Sequence, residues 1–179
     1  GDPPTWSTVS PNGLAYDTVN SRLYYTEYVS SDTEAELYFW NGTSQVNASP
    51  PNLTGAVACA DFWSQRYYYI AGGTDDLYEV TFEADGTVLA CTKIGDISGN
   101  VHAWTFGGDI AVEEGGKLYG FGECSVDGED EFFSVDLDGT DFLLIADGYG
   151  FSLQLAFSED GTLYGHNSSG DGDFYTVDL

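Results

Sequence analysis

The side chains most able to do chemistry in this chain are carboxylates. They gather at Asp32-Thr33-Glu34-Ala35-Glu36, Asp75-Asp76, Asp127-Gly128-Glu129-Asp130-Glu131 and Asp171-Gly172-Asp173. Oxygen-rich loops of this kind suit Ca2+, which takes hard oxygen ligands. None has the spacing of an EF-hand loop, so they read as solvated hairpin tips with weak, collective Ca2+ binding, no dedicated metal site and no other cofactor. Glycoside hydrolysis needs an acid and a base carboxyl paired across a cleft. With 30 acidic residues some pair will always lie close, so sequence singles out none. His102 and His166 are the only imidazoles. No Gly-x-Ser-x-Gly elbow, P-loop or His-Glu-x-x-His motif is present. The expectation is a chain with no catalytic residues, with glycoside hydrolase as the lesser alternative.

Three cysteines, Cys59, Cys91 and Cys124, are spaced 32 and 33 residues apart. That fits neither a disulfide framework nor a zinc site, and they read equally well as small buried hydrophobes. Four of the seven asparagines stand in Asn-X-Ser/Thr: Asn41, Asn47, Asn52 and Asn167. Asn41 also suits a turn, but the clustering of three sequons between Asn41 and Asn52 favours N-glycosylation. The chain begins at Gly1 and has no Met, and is read as a processed or partial product, which leaves room for a removed signal peptide. The compartment expected is extracellular or cell-surface. A salt-adapted protein would explain the acidity equally well.

The net charge of −26, carried against only Arg22, Arg66, Lys93 and Lys117, repels phosphate backbones and anionic lipid, which argues against nucleic-acid and bare-membrane partners. No apolar run reaches the roughly 20 residues a membrane helix needs. Hydrophobic content of 42% and aromatic content of 16% mark a chain with a packed core. At 179 residues the expectation is one domain, 1–179.

The elements that must position these residues are short strands. Glu131-Phe132-Phe133-Ser134-Val135-Asp136-Leu137-Asp138-Gly139-Thr140 reads as a strand, an Asp-Gly hairpin turn of two residues, and a returning strand from Phe142. The same phrase occurs at Leu37–Thr43 and Leu77–Thr87, and begins again at Phe174-Tyr175-Thr176-Val177. Aligning Tyr24, Tyr68, Tyr119 and Tyr164 gives steps of 44, 51 and 45 residues. Strand-rich repeats of that length are the mark of propeller blades, and most of those four tyrosines are expected in the core between blades. The fold class expected is all-β: a β-propeller of four blade-like, four-stranded antiparallel units at 11–52, 53–95, 105–148 and 151–179.

At Arg22-Leu23-Tyr24-Tyr25-Thr26-Glu27 and Val135-Asp136-Leu137-Asp138-Gly139-Thr140 the chain resembles blades of the YWTD and NHL-like β-propeller families. The resemblance implies a scaffold that binds rather than catalyses, and leaves the ligand open. The fourth unit reads as three strands, leaving an edge at Tyr175, Val177 and Leu179. The segment 6–10, through Trp6, Thr8 and Val9, is the candidate to complete it, from the same chain or from a neighbour. Trp40 and Trp63 fall outside the repeated positions and are candidate surface aromatics. Together these give a non-catalytic extracellular glycoprotein, structural or adhesive, that assembles with copies of itself into a filament. The alternative is a lectin-like propeller with a carbohydrate ligand.

Overall fold

The computed structural model describes residues 11–27, 33–97, 104–124, 128–149, 153–167 and 172–179, and these contain strands and turns with no helix. The strands are β1 (Pro11–Asp17), β2 (Arg22–Glu27), β3 (Glu34–Ala35), β4 (Leu37–Trp40), β5 (Gln45–Asn47), β6 (Leu53–Thr54), β7 (Val57–Trp63), β8 (Arg66–Ala71) and β9 (Asp76–Phe82). They continue with β10 (Val88–Asp96), β11 (Trp104–Val112), β12 (Lys117–Cys124), β13 (Asp130–Asp136), β14 (Leu143–Tyr149), β15 (Leu153–Phe157), β16 (Leu163–Asn167) and β17 (Phe174–Val177). They form four small antiparallel sheets in the orders β1-β2-β4-β5, β10-β9-β8-β7, β11-β12-β13-β14 and β15-β16-β17, with β3 and β6 as a separate ribbon. Each four- or three-stranded sheet coincides with one repeat unit read from the sequence, β10, β11 and β14 each overrunning the expected bounds by one residue.

The chain divides into two compact units, residues 1–72 with 78–93, and residues 73–77 with 94–179. Unit 1 has a core in which Tyr24, Tyr67, Tyr69, Leu37, Leu53 and Val80 are fully buried. The Tyr24 ring lies 4.5 Å from Phe82, 5.4 Å from Phe39 and 5.5 Å from Phe62. Unit 2 has its own core, in which Tyr119, Phe121 and Phe132 pack with Leu153, Leu155 and Leu163. Tyr68 and Tyr119 are buried as the repeat requires, but Tyr164 is 41% exposed. In that sheet Leu163 and Gly165 face inward, so alternation turns Tyr164 outward.

The Asp-Gly turns are longer than the two residues expected. Asp136 N donates to Thr140 O at 2.9 Å and Gly139 N donates to Asp136 O at 2.8 Å, a three-residue connection with Gly139 at φ +80. The same pattern closes 83–87, 113–117 and 158–162. A type I turn followed by a left-handed residue gives this geometry, and the Gly takes the left-handed place. The Asp one place earlier caps the turn: Asp85, Asp138 and Asp160 accept from the backbone N–H of Thr87, Thr140 and Thr162 at 3.0, 2.9 and 3.1 Å.

These bonds hold the three carboxyls below their ordinary pKa of 3.8, chiefly through the Thr87 amide for Asp85, the Thr140 hydroxyl for Asp138 and the Ser158 hydroxyl for Asp160. A depressed folded-state pKa means that the caps stabilise the fold above the unfolded value, and that this contribution is lost as pH falls through the folded value. Carbon-detected NMR titration is expected to place all three midpoints below 3.8. Midpoints at or above it would contradict the capping.

Candidate functional site

Within unit 1 the ends of three hairpins enclose a polar cleft of about 460 Å3. The β1–β2 turn supplies Asp17, Asn20 and Arg22; the β7–β8 turn supplies Ser64, Gln65 and Arg66; the end of β9 supplies Thr81, Phe82 and Glu83. Asp17 is buried, and its carboxylate organises its own turn. Oδ1 accepts from the amides of Val19 and Asn20, each at 3.0 Å, and Oδ2 accepts from the Asn20 side chain at 2.7 Å. The β7–β8 turn is a tight one, with Ser64 at φ 50 and Gln65 at φ 63.

Both arginines of the chain line this cleft. Arg22 is the first residue of β2, opposite Asp17 in the β1–β2 register. Its Nη2 donates to Ala84 O at 2.9 Å, and its guanidinium carbon stands 5.2 Å from the centre of the Phe39 ring. Arg66, the first residue of β8, donates from Nη1 to Glu79 Oε2 at 2.6 Å, and the bond to Glu79 raises its pKa. The Tyr68 hydroxyl donates to the same carboxylate oxygen at 3.3 Å. Beneath them Tyr24, Phe62 and Phe82 form an aromatic floor. Tyr24 and Phe62 are stacked at 9°, and Phe62 and Phe82 lie 6.0 Å apart. The Tyr24 hydroxyl bonds to Gly86 O at 3.3 Å, and burial pushes its pKa up to about 12, so it is a neutral part of the floor.

A guanidinium carries five N–H donors in a planar fork, and the bonds just described leave both arginines with donors to offer. The cleft can therefore orient a carbonyl or an anion above a ring face. Glu83 is exposed and adds a solvent-reachable carboxylate. A cavity of this volume is in the range of about 300–1,000 Å3 that holds small molecules.

The sequence reading did not find this cleft, although a signal for it exists. Arg22, Arg66 and Lys117 each stand two residues before a repeated tyrosine, at the start of β2, β8 and β12. In unit 2 the equivalent Lys117 pairs with Asp136 across β12–β13 at 3.0 Å.

The residues singled out from sequence are dispersed. Asn41, Asn47 and Asn52 are exposed and Asn167 is half-buried. Asn41 Oδ1 accepts from the amides of Thr43 and Ser44, both at 2.9 Å, which is the turn role expected of it. Trp40 and Trp63 are half-buried, and Trp63 packs 6.4 Å from Tyr68. Trp6, Thr8 and Val9 lie outside the described residues. Tyr175 and Leu179 are exposed, whereas Val177 packs on the unit 2 core. Among the described residues the fourth sheet has three strands, and an apolar hollow of about 340 Å3 lies beside β17, lined by Phe121, Phe132, Ile145 and Tyr175 among others. Cys59 is buried and Cys91 half-buried, with Sγ 3.3 Å from the Tyr69 hydroxyl. No group of three or more His, Cys, Asp or Glu is placed to hold a metal among the described residues.

No protein-family model and no curated protein matches the chain. Solved structures do. A putative gluconolactonase superposes with a TM-score of 0.64 at 12% identity, over 97% of this chain and 59% of that one. A luciferin-regenerating enzyme gives 0.61 at 15% identity, over 96% of this chain and 59% of that one. Regucalcin of Agrobacterium tumefaciens, named as a calcium-binding protein, gives 0.60 at 15% identity, over 91% and 55%. The fold is that of a β-propeller. The chain spans 55–59% of the length of these three structures.

The propeller expectation is thereby borne out, while the narrower YWTD and NHL-like assignment gains no family match. One expectation is overturned. The absence of catalytic motifs and the resemblance to binding propellers led to a chain without a catalytic role, yet two of the three similar propellers are named for enzymes. Function sits in side chains that the loops carry on a shared scaffold, so a propeller does not argue against catalysis.

Proposed function

We propose that the unit 1 cleft is the working site of an enzyme-class propeller that hydrolyses a small polar ester or lactone. The observation that carries this reading is the assembly of Glu83, Arg22, Arg66 and an aromatic floor around one cavity. In this reading Glu83 takes a proton from a water molecule as its oxygen adds to the acyl carbon. Arg22 and Arg66 face the negative charge that develops on the carbonyl oxygen, where preorganised positive charge lowers the barrier most. The acyl C–O bond then breaks, the leaving oxygen departs as an alcohol with the proton that Glu83 returns, and the acid ionises to a carboxylate. The enzyme names of two similar structures support a catalytic class, and the gluconolactonase name supports ester-type chemistry.

The test is a pH-stat assay of the purified chain on δ-lactones, γ-lactones and aryl acetates. Turnover above buffer is expected for at least one class, falling about a hundredfold in Glu83→Gln. No turnover anywhere on the panel would overturn the hydrolytic reading.

We further propose that the protein works outside the cell, carries N-glycans at Asn41, Asn47 and Asn52, and takes up Ca2+ weakly through its acidic loops. The exposure of all three asparagines supports the modification. Enzymatic removal of N-glycans is expected to lower the mass of native material, and an unchanged mass would contradict it. Self-assembly is part of the same proposal, with the edge of β17 and the hollow beside it receiving a strand from a second copy. Light scattering is expected to report dimers or larger species, and a monomer at every concentration would end that idea.

A further inference from the structure

We infer that the unit 1 cleft binds a small monocarboxylate, held by Arg22 and Arg66 with its body against the faces of Phe62 and Phe82. The inference rests on the cleft being the working site, but not on turnover.

Charge selects the ligand. Over the whole chain carboxylates outnumber cations 30 to 4, so an anion is repelled almost everywhere. The cleft is where both guanidiniums of the chain gather, set against the carboxylates of Asp17 and Glu83 in its lining and of Glu79 on Arg66. Asp17 is buried with both oxygens bonded to its own turn, so it cannot turn towards the arginines as a replacement anion. Three carboxylates against two guanidiniums repel a doubly charged ligand more than a singly charged one, which places a carboxylate ahead of a phosphate. Geometry agrees, because the planar guanidinium fork matches the two oxygens of a carboxylate.

The anchoring of the arginines also favours binding. Arg22 is fixed through Ala84 O and the Phe39 ring, and Arg66 through Glu79, so neither head must be ordered when a ligand arrives. Preorganised donors cost less on association. The floor supplies the rest of the recognition, since Phe62 and Phe82 are partly exposed and their rings lie 6.0 Å apart, 24° from parallel. A flat or ring-bearing carboxylate covers them. The ester chemistry proposed above makes such an anion in place, so the hydrolysis product is expected to linger and inhibit.

The experiment is calorimetric titration of the full chain with 4-hydroxybenzoate, with neutral 4-hydroxybenzamide and with inorganic phosphate. Expected are saturable binding of the benzoate, at least about tenfold weaker binding of the amide, and weakening by at least about tenfold in Arg22→Gln or Arg66→Gln, as loss of a charged hydrogen bond implies. Arg22→Lys keeps the charge if Arg22→Gln folds poorly, and is expected to bind more tightly than Arg22→Gln. Lys117→Gln, a cation of unit 2, should bind as the parent does. Equal binding of benzoate and amide, or no effect of either arginine, would overturn the inference. Preferred binding of phosphate would overturn the carboxylate class. Carboxylate binding without turnover on the lactone and ester panel leaves this inference standing and removes the hydrolytic reading. Turnover with no carboxylate binding does the reverse.

Discussion

Gly108→Ala lowers the melting temperature by about 10 °C or more, because a Cβ at that position has nowhere to go. A Cβ at Gly108 would overlap Phe121 O and stand 2.5 Å from Phe121 C. The obstacle is backbone rather than a flexible side chain, so it cannot swing aside. Gly108 sits in β11 where the register with β12 shifts between Thr105 and Asp109, and the bulge brings the two strands together. Relief would require β11 to separate from β12, the outer pairing on which β11 joins the third sheet. Overpacking costs about 1–3 kcal/mol where neighbours can yield, and more where they cannot. A loss of about 3 kcal/mol or more converts to about 10 °C for a chain of this size. Thermal unfolding followed by circular dichroism measures it. An unchanged transition would mean that β11 and β12 do not approach this closely in solution.

Tyr24→Ala removes the ring on which unit 1 is packed. Four aromatic rings lie within 6.4 Å of it, centre to centre, and its side chain is fully buried. Deleting a large buried aromatic side chain costs about 3–5 kcal/mol, combining lost transfer energy with the cavity left behind. Tyr24→Phe keeps the ring and loses only the 3.3 Å bond to Gly86 O, a change of about 0.5–1.5 kcal/mol. Urea unfolding of the two variants is expected to give midpoints in that order. Equal midpoints would show that the hydroxyl, and not the ring packing, holds the core. The same deletion takes away part of the cleft floor, so Tyr24→Ala should also weaken ligand binding more than Tyr24→Phe does.

The blades were legible because their signals are local. The Asp-Gly-Thr turns recur with the strand phrase, and each Asp caps its Thr within two residues, so the repeat can be read without knowing what it packs against. Turn length was misjudged because Asp-Gly suits both a two-residue turn and a longer turn ending in a left-handed Gly, and only the closing bond between Asp136 and Thr140 separates them. Tyr164 departs from the other three repeated tyrosines for a related reason. Its alignment with Tyr24 is sound, but which face of a strand is buried depends on the sheet beside it, and there Leu163 and Gly165 took the inner face.

The cleft was harder to see. Asp17, Arg66 and Glu83 are separated by 49 and 17 residues and meet only because the β1–β2, β7–β8 and β9–β10 turns come together in unit 1. No spacing rule connects them. The order of the cations offered a clue, since Arg22 and Arg66 hold equivalent positions two residues before Tyr24 and Tyr68. Cross-strand pairing explains such positions as readily as ligand binding, and Lys117 with Asp136 follows the pairing alone. What distinguishes the arginines is a cavity, which is a property of packing and has no signature in composition.

The most direct test of the account is an NMR map of where a carboxylate ligand lands. Aromatic 13C and arginine 15Nε signals of the full chain would be followed while 4-hydroxybenzoate is added. The account predicts saturable shifts confined to Arg22, Arg66, Tyr24, Phe62 and Phe82, with Tyr119, Phe121 and Phe132 of unit 2 unmoved. Shifts centred on unit 2, or none at saturating ligand, would contradict the assignment of the cleft as the site where this propeller meets its small molecule.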